Sequence, residues 1–143
     1  MTGAISPSLK AIVAYYRLVD LPRLRRDNSW VKLASAIRYP VWTVCEPDLE
    51  SRSPVTVPAR IKAPVLLIHG DSDSNISPGQ SEEMETAIVN AGGNAQLHLV
   101  SGAGHGFLPF VSDGWPATLE FLADKLQKNN CVVGGITERR DNM

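Results

Sequence analysis

Three short apolar runs, each ending in a turn and separated by helix-like stretches, limit the fold more than any other feature of this chain. Leu9-Lys-Ala-Ile-Val-Ala-Tyr-Tyr16 is almost continuously apolar from Ala11 onward, and Pro64-Val-Leu-Leu-Ile-His-Gly70 is a second such run. Apolar runs without polar alternation suit strands buried on both faces, as in a parallel sheet. Ala95-Gln-Leu-His-Leu-Val100 supplies a third strand. Between the runs, Trp30, Leu33, Ala34 and Ile37 keep i, i+3, i+4, i+7 spacing, and Met84, Ala87, Ile88 and Ala91 do the same. A last helix carries Leu119, Leu122, Ala123 and Leu126 on one face, beside Phe121. Strand and helix in alternation predict an α/β fold: three αβα layers around a mainly parallel sheet.

Local signals place the boundaries. Asn28 or Ser29 caps the first helix and Pro40 closes it. Ser77-Pro-Gly-Gln80 reads as a helix start, with Ser77 accepting from the backbone, Pro78 at the first position and Gln80 reaching back to the cap. Gly92-Gly93 ends that helix. Asp20-Leu-Pro22 reads as a loop, and the segment 41–60, with Pro47, Pro54 and Pro58, as irregular. Residues 129–143 show no period and read as a mobile tail, which leaves 1–128 as the folded domain.

A length of 143 residues suffices for one domain with its own core. A net charge of −1 gives no reason to expect nucleic acid or an anionic membrane as partner. No apolar run is long enough to span a bilayer, and the N-terminus lacks a basic-then-apolar leader pattern. Cys45 and Cys131 have neither a metal spacing nor the numbers for a disulfide framework. They read as thiols of a cytoplasmic protein, the default location for such a chain. No cofactor and no metal site is expected. Asp71, Asp73, Asn75 and Glu82 do fall at positions 1, 3, 5 and 12 of a calcium loop, but position 6, which needs glycine, holds Ile76.

In parallel α/β folds, chemistry gathers beyond the carboxyl ends of the strands. Two loops lie there, 71–77 and 101–107, the second reading Ser-Gly-Ala-Gly-His-Gly-Phe. A histidine acting as base needs a carboxylate on its other ring nitrogen to set the tautomer and stabilise the imidazolium. His105 is the candidate, with a plain loop residue as the competing expectation. Asp73, three residues past Gly70, is better placed to turn toward it than Asp71, which follows the strand directly and suits a turn cap. The competing expectation is that both aspartates only make Asx turns. His69, at a buried strand end, reads as a structural hydrogen-bonder, and His98 as pointing away from the face of Leu97 and Leu99.

Arg52-Ser-Pro54, Ile61-Lys-Ala-Pro-Val-Leu-Leu-Ile-His-Gly-Asp-Ser-Asp73, Gln80-Ser-Glu-Glu83, Gly102-Ala-Gly-His-Gly106 and Phe121-Leu122 together resemble the C-terminal half of a prolyl oligopeptidase catalytic domain, an α/β-hydrolase fold. Dienelactone hydrolase-like esterases share much of the pattern. The resemblance runs from about Leu9 to Leu126. It implies a serine-type peptidase, with Asp73 and His105 as the acid and base of a Ser-Asp-His triad and a peptide or ester as substrate. A carboxylesterase or a non-catalytic binding remnant is the alternative. The family often has Val-Pro after the aspartate, where this chain has Ile76-Ser77 and then Pro78.

The nucleophile of such folds sits on a strained G-x-S-x-G elbow upstream of the acid and base. No serine here has glycine both two before and two after, and Cys45 lies in Val-Cys-Glu-Pro. Ser-Pro-Ser-Leu-Lys-Ala-Ile-Val-Ala-Tyr-Tyr resembles the strand that comes soon after the elbow and its helix. The expectation is thus a partial domain starting just past its nucleophile. Losing that serine costs about 10⁶ in kcat, so the chain alone is expected to be inactive. It is also expected to dimerise, to bind a complementing chain or to be poorly soluble, because the Leu9–Tyr16 edge is left open.

Overall fold

The structure, a computed structural model, describes residues 9–16, 19–28, 46–106 and 112–126. The elements run β1 (Ile12–Tyr15), α1 (Leu21–Asp27), α2 (Glu46–Arg52), two 3₁₀ turns (Pro54–Thr56 and Pro58–Arg60), β2 (Val65–Gly70), α3 (Gly79–Asn90), β3 (Ala95–Val100) and α4 (Gly114–Leu126). The strands form a parallel sheet in the order β1-β2-β3. Register aligns Tyr15 with Ile68 and Gly70 with Val100. Successive side chains of β2 alternate between the two faces, and every residue of the strand is buried. Val65 and Leu67 pack with Val19, Ile61, Met84 and Ile88 on the α3 side. Leu66 and Ile68 pack with Val100, Ala103 and Phe121 on the α4 side. That arrangement gives the three expected layers. Among the described residues no helix is long and apolar enough to cross a membrane.

Several local expectations are corrected. β1 is half-buried rather than buried on both faces, because among the described residues only β2 pairs with it. Asp20-Leu-Pro22 starts a helix instead of a loop. Asp20 Oδ1 accepts the Arg23 N–H at 2.9 Å, and Pro22 sits in the first turn, where its missing N–H costs nothing. The segment 41–60 is not irregular where it is described. It holds α2, and Pro54 and Pro58 each open a 3₁₀ turn, their fixed φ suiting that position. Ser53, fully buried, ties this segment to α1: its Oγ donates to the Leu49 carbonyl at 2.8 Å and accepts the Leu21 N–H at 3.0 Å.

The cap at Ser77 does not form. Helix α3 begins at Gly79, with no side-chain cap on Pro78. The Gln80 amide is drawn elsewhere, its Oε1 accepting from Val19 N at 3.1 Å and Asp20 N at 3.2 Å. At the other end Gly92 takes φ +77°, as the glycine pair predicts. α4 is rotated from the face its leucines suggest, although Leu122 still packs partly buried against the core beside Phe121. Gly114, Thr118 and Phe121 are buried, whereas Leu119 and Leu126 are each 51% exposed. The Tyr15 hydroxyl sets this rotation by bonding to the Thr118 hydroxyl and donating to the Gly114 carbonyl at 3.2 Å. The helix expected over Trp30, Leu33, Ala34 and Ile37 lies outside the described residues, as do Val41–Cys45, Cys131 and the tail 129–143.

Candidate active site

Because Gly70 and Val100 are register partners, the loops after β2 and β3 leave the sheet at one level. Backbone bonds stitch them together. Asp71 N–H donates to Val100 O at 3.2 Å, and Ser72 N–H donates to Ala103 O at 3.0 Å. This close crossing requires glycine at position 70, where a Cβ would lie 2.1 Å from the Ala103 oxygen. The carboxylate of Asp71 completes the seam. Its Oδ1 accepts from Gly102 N at 2.8 Å and from the Ser72 hydroxyl at 2.9 Å. The Ser72 hydroxyl and then the Gly102 N–H hold the Asp71 carboxyl below the usual carboxylate range. Asp71 is therefore a loop tie, as its place in the sequence suggested.

Asp73 faces the opposite way, into the protein. It is 5% exposed and meets His105, its Oδ2 standing 2.8 Å from Nδ1 of the ring. Oδ1 accepts from Asn75 N at 2.9 Å and Ile76 N at 3.0 Å, an Asx-type turn. The two expectations for this aspartate hold together: one oxygen shapes the loop and the other meets the histidine. Burial works to raise the Asp73 carboxyl. The Ile76 N–H, the His105 ring and the Asn75 N–H outweigh it, so the group sits below the usual carboxylate range. An ionised carboxylate only accepts, so His105 carries its proton on Nδ1. The His105 side chain is 36% exposed, and among the described residues its Nε2 has no hydrogen-bond partner.

Three further residues join the site without having been expected there. Tyr16, at the carboxyl end of β1, lays its ring 5.2 Å from the His105 ring, centroid to centroid. Its hydroxyl donates to Gly106 O at 3.0 Å, holding the histidine loop from the β1 side. Tyr16 has φ +41°, a left-handed conformation that costs a non-glycine residue about 1–3 kcal/mol. Burial, then Tyr15 and the Asp73 charge, push its hydroxyl above the usual tyrosine value. His69 approaches Asp73 from inside the fold, with the Ser81 hydroxyl behind it on the other ring nitrogen. His69, fully buried, places Nε2 3.2 Å from Asp73 Oδ2. The available signals were an aromatic pair ending a parallel strand and a histidine four residues before the aspartate. Neither fixes a contact without the fold. His98 is half-buried and pairs with Asp113 at 3.2 Å, away from this site. Among the described residues no cluster of three or more His, Cys, Asp or Glu side chains is placed to hold a metal.

The arrangement can move a proton. A carboxylate fixes one nitrogen of an imidazole and leaves the other turned outward as a base. Comparison with known proteins gives this geometry its setting. The profile of the prolyl oligopeptidase family matches residues 7–129. No curated protein matches the chain at significance. Among solved structures, a Mycobacterium tuberculosis puromycin-hydrolyzing peptidase is similar at 24% identity and TM-score 0.73, covering 87% of this chain and 20% of that one. A Pyrococcus horikoshii acylaminoacyl peptidase is similar at 19% identity and TM-score 0.75, covering 90% and 22%. Esterase PE8 is similar at 28% identity and TM-score 0.54, covering 87% and 43%. The chain thus spans about a fifth of the length of either peptidase and less than half of the esterase. The three-layer α/β-hydrolase architecture expected from the sequence is the one these structures share.

Proposed function

Since the chain belongs to the prolyl oligopeptidase family, we propose that it supplies the acid and base of a Ser-Asp-His triad in a serine-type peptidase, Asp73 as the acid and His105 as the base. The observation that carries this reading is the 2.8 Å pairing of Asp73 Oδ2 with His105 Nδ1, with the opposite ring nitrogen turned outward. In that role His105 Nε2 takes the proton of a serine hydroxyl as it attacks the substrate carbonyl, and later returns it to the leaving group. Asp73, fixed by the N–H groups of Asn75 and Ile76, stabilises the imidazolium formed between those steps. Tyr16 packs against the imidazole and anchors its loop through Gly106 O.

The serine itself belongs to a segment outside these 143 residues, since no G-x-S-x-G occurs among them. On this reading that segment, a complementing chain or further sequence of the same protein, adds beside β1, which among the described residues pairs only with β2. The test is to add a separately expressed upstream segment bearing G-x-S-x-G and to assay a p-nitrophenyl ester and a proline-containing peptide. The chain alone is expected to show no family-level turnover. Turnover is expected to appear with the segment and to vanish with His105→Ala. Family-level rates from the chain alone, or an active His105→Ala complex, overturn the reading.

A second reading, esterase rather than peptidase, is favoured by the likeness to esterase PE8 at 28% identity. A completed enzyme that cleaves only the ester supports it. A chain that folds with the segment and cleaves neither substrate is a binding remnant.

A further inference from the structure

The triad reading leaves one buried histidine unused. His69 has no exposed surface, yet both its ring nitrogens are engaged. Nε2 lies 3.2 Å from Asp73 Oδ2 and 2.9 Å from the Ile76 carbonyl oxygen. Both partners accept only, so this nitrogen carries a proton whatever the charge of the ring. Nδ1 lies 2.6 Å from the hydroxyl of Ser81, which is 1% exposed. In the neutral ring Nδ1 has no proton, so the Ser81 hydroxyl donates to it. The result is a directed chain. Ser81 donates to His69, the single Nε2–H of His69 is shared between Ile76 O and Asp73 Oδ2, and His105 donates to the same Oδ2 from outside.

A carboxylate offers about four acceptor directions. Asn75 N and Ile76 N occupy those of Oδ1, which leaves two on Oδ2. His69 fills the inward one, and only the outward one remains, toward His105. Resting on the triad reading above, we propose that His69, held in one tautomer by Ser81, is a positioning residue that fixes the plane of the Asp73 carboxylate and so the orientation and tautomer of His105. His69 forms no bond to substrate and takes no part in the proton transfer. The constellation Ser81–His69–Asp73 has the residue types of a triad, but its burial closes it to any ligand.

The test is proton–nitrogen correlation NMR of the 143-residue chain labelled with ¹⁵N-histidine. It reads ring tautomers without catalysis. The expected wild-type result is an Nε2–H tautomer for His69 and a single Nδ1–H tautomer for His105. An Nδ1–H tautomer at His69 overturns the proposal, with no variant needed. His69→Phe, which keeps ring bulk and removes the donor, is expected to split His105 between two tautomers and to speed exchange of its Nδ1–H with water at least tenfold. His69→Gln restores a donor and is expected to recover most of the wild-type pattern. Unchanged His105 signals in folded His69→Phe overturn the proposal. Where His69→Phe does not fold, Ser81→Ala decides. It keeps the imidazole and removes its anchor, so partial loss of His105 Nδ1–H protection supports the proposal and unchanged signals overturn it. Failure of the triad reading is separately visible as activity retained by the complemented His105→Ala enzyme.

Discussion

A Cβ at position 70 would stand 2.1 Å from the Ala103 oxygen and 2.7 Å from the Ala103 carbonyl carbon, both backbone atoms. Gly70→Ala therefore forces the two loops apart. The expected cost is about 2–4 kcal/mol in urea unfolding, together with loss of the Asp73–His105 pairing. Acid acts on the same residues. The folded Asp73 carboxyl lies below its unfolded value of about 3.9. Its contribution to stability is fully present above the unfolded value and is lost as pH falls through the folded one. Asp73→Asn is expected to flatten that acid limb in unfolding curves taken between neutral and acid pH. Tyr16 works in the opposite range. Its hydroxyl lies above the unfolded value of about 10, so stability is held below that pH and falls as pH rises through the folded value. Tyr16→Phe is expected to remove this alkaline loss. At this scale, spacing from Gly70 was enough to separate Asp73 from Asp71, because three residues of loop give room to turn and one does not. The donors around Asp73 were not legible. Ser81 reaches His69 across 12 positions and Tyr16 reaches Gly106 across 90, and no local pattern encodes such contacts.

Among the elements, β2 and β3 were legible because nothing competes with their patterns: β2 is buried on both faces and β3 ends in the turn that its glycines allow. α4 was harder to read. Leu119, Leu122 and Leu126 satisfy helical spacing, and so do Gly114, Thr118 and Phe121. A hydroxyl pair between Tyr15 and Thr118 selects the second face, and apolar periodicity has no term for it. The two faces predict different costs. Phe121→Ala, at a residue 5% exposed, is expected to lose about 3–5 kcal/mol. Leu119→Ala, at a residue 51% exposed, is expected to stay within about 0.5 kcal/mol. Equal losses in denaturant unfolding would return the helix to its leucine face. The Ser77 start shows the same kind of override. Gln80 is 1% exposed and serves the backbone of Val19 and Asp20, a tertiary demand that outranks a local cap.

For the whole molecule, alternation of strand and helix fixed the layers, since parallel strands need crossovers that pack on the sheet faces. Proline content in 41–60 suggests irregular chain, but proline equally suits the first position of a turn of helix, and that is the use made of Pro54 and Pro58. The open side of β1 carries its own expectation. Among the described residues β1 pairs only with β2, so its other edge is the side on which a further strand would add. Sedimentation over a rising concentration series is expected to show association of the chain alone. Adding the elbow-bearing segment is expected to suppress that association by occupying the edge. A clean monomer at every concentration counts against both statements.

The seam formed by Asp71, Ser72, Gly102 and Ala103 also bears on transplantation. Grafting either loop alone into another scaffold would part it from the backbone that aims it. Residues 65–106 moved as a single cassette would keep that seam intact, and the recipient would still have to replace Tyr16, whose ring packs on His105 and whose hydroxyl holds Gly106 O.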